Sequence, residues 1–156
     1  MPEAAAKSRR SPQKQRLRFW LRLLKLSRGI EGQLRERFRA EFGTTLPRFD
    51  VMAALDRHNK GLKMSQLSSV LKVSNGNVTG IVDRLVDDGC IIRMPVAGDR
   101  RAWRVQLTRK GRDEFTAMAA THESWVNAIL NELGPEEADE MIAVLDRLNR
   151  ANGDAS

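Results

Sequence analysis

Apolar positions set two different rhythms along this chain. From about Gln13 to Arg39 they recur at helical spacing on two sides. Leu17, Leu21 and Leu24 lie on one side; Phe19, Leu23, Leu26 and Ile30 lie on the other. A helix that is apolar on both sides must be covered on both, and in a chain of 156 residues a second copy is the expected cover. Gly43 ends the segment. Leu46-Pro47 opens a second helix with proline in the first turn, and Phe49, Met52, Ala53 and Leu55 give it an apolar face to about Asn59. Lys60-Gly61 reads as a turn. Ser65 is the expected N-cap of a short helix holding Leu67, Val70 and Leu71. Ser74 is the next N-cap candidate, ahead of NGNVTGIVDRLVDD, where Val78, Ile81, Val82 and Leu85 form one inward stripe. Gly89 stops that helix.

The period then changes from helical to alternating. Cys90 to Met94 reads as one short strand. Trp103, Val105 and Leu107 alternate with Arg104 and Gln106 in a second, so that Arg100 and Arg101 are expected at a hairpin tip. Thr108 caps the next helix, which carries Phe115, Met118, Ala119, His122, Trp125, Val126, Ile129 and Leu133 as one stripe. Gly134-Pro135 breaks it. A last helix places Ala138, Met141, Ile142, Leu145 and Leu148 on one face. Two short helices across a tight turn, followed by a hairpin, make a helix–turn–helix with a wing. The fold class is therefore mainly α with a small β-hairpin wing: a winged helix–turn–helix with N- and C-terminal dimerisation helices. The expected divisions are a flexible basic arm at 1–12, an N-terminal helix at 13–45, the winged lobe at 46–111, C-terminal helices at 112–150 and a tail at 151–156.

Charge adds a direction to this plan. The net charge is +7, with the cations concentrated in the first two-thirds and an acidic excess after residue 111. Such asymmetry suits either a polyanionic partner or a solvated basic surface, so local pattern has to decide. Apolar residues make up 41% of the chain, enough for a core, but no apolar run approaches the ~18 residues of a membrane span. MPEAAAKSRRSPQKQR has no apolar stretch behind its charges and does not read as a secretory signal. One cysteine forms no internal disulfide, which fits a reducing cytoplasm.

The second helix of such a motif enters the DNA major groove. Its outward face here holds Gly76, Thr79, Gly80, Asp83 and Asp87, flanked by Asn77 and Arg84. The two glycines are unfavourable in a helix by roughly 1 kcal/mol each, and bare backbone at both would let the helix lie deep in a groove. Asn77 suits paired hydrogen bonds to adenine, and Thr79 suits a thymine methyl or a phosphate. Ser74 and Asn75 stand at the helix N-terminus, where free N–H groups favour a phosphate oxygen. Arg84 suits guanine, phosphate or an acidic neighbour. Asp83 would repel phosphate and is expected to bridge an arginine. In the wing, Arg100 and Arg101 suit the negative minor groove, with Asp99 expected to fork onto the Arg101 guanidinium. Arg93 and Arg104 are expected on flanking phosphates.

LPRFDVMAAL, MSQLSSVLKVSNGNVTGIVDRLVDDGCI and GDRRAWRVQLTRKG together resemble the MarR family of winged-helix transcription regulators, over roughly Leu17 to Leu148. The resemblance implies a two-fold homodimer built from the first and last helices, and binding to double-stranded DNA at a pseudo-palindromic operator. It also implies repression, often released by a small ligand. It places wing contact on Arg101 with support from Asp99, and base reading on residues 75–79. Gly80 departs from the pattern, since arginine often follows the threonine in such helices. The family often holds ligand between the dimer helices and the DNA-binding lobe. Here that region would draw on Arg16, Trp20, Leu24, Arg35, Arg39, Arg48, Phe49, Met52 and His122. NGNVTGIVDRLVDDG, GDRRAWRVQLT and THESWV are similar to the branch sensing aromatic acyl-CoA thioesters such as p-coumaroyl-CoA, whose phosphates the arginines of the first helix would suit. No cofactor is implied.

Other functions leave weaker traces. His122-Glu123 lacks the second histidine of a zinc-binding helix, and no Gly-x-Ser-x-Gly elbow or phosphate-binding glycine loop occurs, so catalysis is not expected. A thiol redox sensor would have to use Cys90, which opens an apolar strand where a cysteine is usually a buried filler. An unspecific architectural DNA binder would use the same basic surface.

Overall fold

The computed structural model describes residues 11–71 and 75–153, and the backbone alone at 75 and 76. Helix α1 spans Pro12–Phe42, starting where Ser11 Oγ accepts from Lys14 N at 3.3 Å. It runs one turn past the expected end at Arg39 and closes on Gly43, whose φ of 60° suits a left-handed C-cap. Helix α2 spans Leu46–Arg57, with Thr45 Oγ1 accepting from Arg48 N. Strand β1 is Leu62–Lys63, α3 is Met64–Leu71 and α4 is Asn75–Asp87. Strands β2 (Ile91–Val96) and β3 (Asp99–Leu107) follow, then α5 (Arg109–Ile129) and α6 (Pro135–Ala151).

Three sequence expectations fail locally. The wing is a three-stranded antiparallel sheet in the order β1-β3-β2, not a two-stranded hairpin. The turn read at Lys60-Gly61 leads into β1, which pairs Leu62 with Val105 and Lys63 with Arg104. Two residues are too few for an alternation to show. Ser65 does not cap α3; it lies inside the helix, and Gln66 Oε1 takes the Lys63 N–H at 2.9 Å instead. Trp103 is not inward-facing core like Val105 and Leu107. It is 45% exposed, opposite Pro95, beyond the stretch that β1 reaches.

The chain forms two compact units, one ending at Met118 and one beginning at Ala119, within α5. The first holds the packed core. Phe38 of α1 is fully buried and its ring lies 4.7 Å from that of Phe49, which stacks on Phe115 at 5.4 Å. Val51, Leu55, Leu67, Val78, Val82, Leu85 and Val105 fill the lobe, each contributing about 1.5–3 kcal/mol by leaving water. The N-terminal half of α1 takes no part in this core. Leu17, Phe19, Trp20, Leu21 and Leu26 are all about half exposed. In the second unit Trp125 is buried, while α6 has no buried residue and presents Met141, Ile142, Leu145 and Leu148 to solvent. Helix α5 gives way to a tighter turn at Leu130–Leu133 rather than running to Leu133, with Leu133 N donating to Leu130 O.

Candidate nucleic-acid interface

The stripe Val78, Ile81, Val82 and Leu85 is buried as the helical period requires, and it turns the opposite face of α4 outward. Asn77, Thr79, Asp83, Arg84 and Asp87 are exposed there. Ser74 lies outside the described residues, as does the Asn75 side chain. Gly80 sits mid-helix, and among the described residues a Cβ added to it would meet nothing within 4 Å beyond its own helix backbone and chain neighbours. The fold therefore does not require glycine at this position.

The far end of α4 is tightly tied. Gly89 adopts φ 76°, and Cys90 N reaches back to Leu85 O at 2.9 Å. Thr108 Oγ1 donates to Gly89 O and accepts from Gly111 N, so the α5 cap also closes α4. Arg48 pairs with Asp88 at 2.7 Å, and Lys110 Nζ donates to the Asp88 carbonyl at 2.6 Å. Asp88 is a joint that nothing in the sequence marked, beyond its place before the stopping glycine.

In the wing, Ala97-Gly98 makes the turn, with Gly98 at φ 81°. Val96 pairs with Asp99 but Pro95 pairs with Trp103, so residues 100–102 bulge out without strand partners. Arg100 and Arg101 thus stand on an exposed bulge at the start of β3, one step beyond the expected tip. Asp99 supports Arg101 differently from expectation. Its Oδ1 accepts from the Arg101 backbone N–H at 3.0 Å, shaping the bulge instead of gripping the guanidinium. The strand arginines are engaged inside the fold: Arg93 pairs with Asp83 of α4, and Arg104 Nη1 donates to Gly61 O at 3.0 Å. The expected Asp83 bridge is present. Phosphate contact by Arg93 and Arg104 is not what the fold prepares.

The residues expected around a ligand divide among several places. Arg48 and Met52 line a cleft of about 430 Å³ with Phe42, Thr44, Glu114 and Met118. Arg35 lines a second cleft of about 260 Å³ with Glu31, Asp50 and Asn77, which brings it beside α4. Burial and the nearby Glu31 charge push the Asp50 carboxyl above the ordinary range, against the opposing pull of Arg57 and Arg35. Phe49 is core between Phe38 and Phe115 and lines neither cleft. Arg16 and Trp20 are exposed on α1, Leu24 is half-buried there, and Arg39 pairs with Glu36 at 2.6 Å. His122 belongs to the second unit, in an open groove with Asn127, Leu130 and Ala138, and burial lowers its pKa. Cys90 is 1% exposed, donates to Glu114 Oε2 at 3.1 Å, and has its thiol pushed up to about 11 by burial and then by Glu114.

A crystal structure of a MarR family transcriptional regulator from Silicibacter pomeroyi superposes with a TM-score of 0.75. It is 32% identical, and the match covers 90% of this chain and 97% of that one. The chain belongs to the MarR family of transcriptional regulators. A MarR family model also matches residues 42–102, the stretch from the end of α1 through the wing bulge. The regulator PecS of Dickeya dadantii is 32% identical over 104 residues, 65% of this chain; the chain spans 63% of that relative's length. A mutant of MarR from E. coli, crystallised in complex with operator DNA, shares the fold at a TM-score of 0.72 and 20% identity, over 86% of this chain and 95% of that one. Among the described residues of this MarR-family chain, no helix is long and apolar enough to cross a membrane.

Proposed function

We propose that this MarR-family regulator binds a pseudo-palindromic operator as a homodimer, with α4 in the major groove and the wing bulge in the adjacent minor groove. One observation carries the reading. Arg48, Arg93 and Arg104 are held by partners within the lobe, while Arg100 and Arg101 are exposed on a bulge of the wing, whose strand β2 is tied to the exposed face of α4 by the Arg93–Asp83 pair. Cations that are exposed and given no ion pair among the described residues fit a partner that brings the anions.

Two exposed helix faces support the homodimer. Between Pro12 and Arg28, α1 carries Lys14, Arg16, Arg18, Arg22, Lys25 and Arg28 and no carboxylate, beside its exposed leucines, Phe19 and Trp20. Helix α6 carries Glu136, Glu137, Asp139, Glu140 and Asp146 beside its own exposed apolar stripe. Apolar faces of opposite charge suit each other across two copies.

The reading extends to repression relieved by a small acid with an apolar body, an aromatic acyl-CoA such as p-coumaroyl-CoA being the class to try. Support comes from the Arg48 and Met52 cleft, which abuts Asp88 just past the end of α4. A carboxylate or phosphate that takes Arg48 from Asp88 loosens that joint.

The test is competition between DNA from the protein's own promoter and bulk DNA at fixed salt, followed by titration with p-coumaroyl-CoA and free coumarate. Operator binding should be ~10³-fold or more tighter than bulk binding. Equal affinity for both would leave an unspecific architectural binder. No release by either compound would remove the effector class. A thiol-sensing alternative is disfavoured by the burial and raised pKa of Cys90.

A further inference from the structure

We infer that Arg93 is a positioning residue for DNA binding: its pairing with Asp83 masks a carboxylate on the DNA-facing side of α4 and locks the wing to that helix. The inference rests on the DNA-binding reading above and adds the role of a pair on which that reading does not depend.

Asp83 is one helical turn along α4 from Thr79, on the face opposite the buried stripe. An unpaired carboxylate there would look straight at the phosphates of a bound duplex. Arg93 comes from β2, where it is registered with the fully buried Val105 of β3. Its guanidinium bonds Asp83 Oδ1, and the two side chains are 33% and 52% exposed. The pair therefore lies at the lobe surface, where a duplex would exclude further water from it.

The geometry has a second consequence. Two positions beyond Arg93, Pro95 pairs with Trp103, and the bulge of Arg100 and Arg101 begins directly after. The pair thus fastens the middle of α4 to the base of the wing. Both DNA-reading elements then share one frame before DNA arrives, which lowers the ordering cost of binding. Arg104 fixes the same sheet from the other side through the Gly61 carbonyl. An arginine engaged in this way neutralises a carboxylate, not a phosphate, and that difference can be measured.

The experiment measures operator affinity of the full chain by fluorescence anisotropy at several salt concentrations, with thermal unfolding of each variant as the fold control. Arg93→Ala is expected to bind at least about tenfold more weakly, because it exposes Asp83 to phosphate, and raising the salt should narrow that deficit by screening the repulsion. Asp83→Asn added to Arg93→Ala should return most of the missing affinity, and the charge swap Asp83→Arg with Arg93→Asp should do the same. A double variant no tighter than Arg93→Ala would show that Arg93 neutralises phosphate itself and not Asp83, and would overturn the assignment. So would an Arg93→Ala that binds like wild type. Wild-type protein indifferent to all DNA would sink the DNA-binding reading and this inference with it; the other failures sink the inference alone.

Discussion

Gly80→Ala separates folding from function at a single methyl group. Position 80 lies mid-way along α4, where glycine is less favourable than alanine by about 0.8–1.0 kcal/mol. Among the described residues, an added Cβ meets no atom within 4 Å beyond its own helix backbone and chain neighbours, so no contact there offsets that gain. The variant should therefore be more stable by about 1 kcal/mol, raising the unfolding midpoint by ~2–4 °C at constant protein concentration. DNA binding should move the other way. A helix with its side chains is about 10–12 Å across and the major groove is about 12 Å wide, so the fit is close. The methyl extends the surface by roughly 1.5 Å, one C–C bond, on the face proposed to meet the base edges. Displacing neighbouring groups by that distance should cost about 1–3 kcal/mol, the worth of one good base pairing, or roughly 5- to 150-fold in operator affinity. Calorimetry and anisotropy on the same preparation read both effects. A more stable Gly80→Ala that still binds its operator like wild type would refute the claim that glycine serves close approach. A less stable one would refute the local geometry.

Arg101→Ala should weaken operator binding by at least about tenfold and make the salt slope shallower by about 0.9 for each phosphate no longer neutralised, readable by anisotropy across a salt series. Gly111→Ala should destabilise the lobe by about 2–4 kcal/mol in urea unfolding, because its Cβ would lie 2.9 Å from the Cys90 carbonyl carbon, nearer still to the oxygen, and would disturb the Thr108 N–H bond to that carbonyl. Cys90 should resist iodoacetamide at pH 8 in the folded protein and react on denaturation, and operator release by peroxide should be absent. Because its folded pKa of about 11 lies above the ordinary 9.0, its contribution to stability is complete below pH 9 and is lost as pH rises toward 11. Unfolding free energies of wild type and Cys90→Ser should therefore converge or cross over that window, and a constant difference would refute the shift.

What the sequence disclosed depended on how long each pattern runs. The stripe Val78, Ile81, Val82 and Leu85 repeats over two turns, and all four residues are buried as the spacing demands. Gly43, Gly89 and Gly98 were legible because each turn or cap there needs a positive φ. Strand β1 was not legible. It has two residues, and its cause lies far along the chain in Arg104 and Val105. The bulge escaped for a related reason: alternation describes paired residues, and residues 100–102 have no pair. At the candidate interface, residue type and position anticipated the exposure of the α4 face and of the wing arginines. Which arginines stay exposed depended on partners distant in sequence: Asp88 for Arg48, Asp83 for Arg93, and the Gly61 carbonyl for Arg104.

Under the proposed function, those partners would also let one strongly basic surface be selective. An interface made only of solvated arginines attracts every duplex about equally, since phosphate contacts carry no sequence information. Here the lobe uses three arginines as braces against carboxylates and a carbonyl, and leaves two on a bulge shaped by Asp99. The braces hold the α4 face at a set distance and angle from the wing. In the proposed binding mode, base edges are then read only by a duplex that meets both elements at once. Removing a brace should therefore reduce the ratio of operator to bulk affinity, whereas removing a bulge arginine should lower both affinities together. Arg93→Ala and Arg101→Ala, assayed on operator and bulk DNA at one salt concentration, distinguish the two roles. Loss of affinity in equal proportion by both variants on both DNAs would mean that the braces are only additional charge.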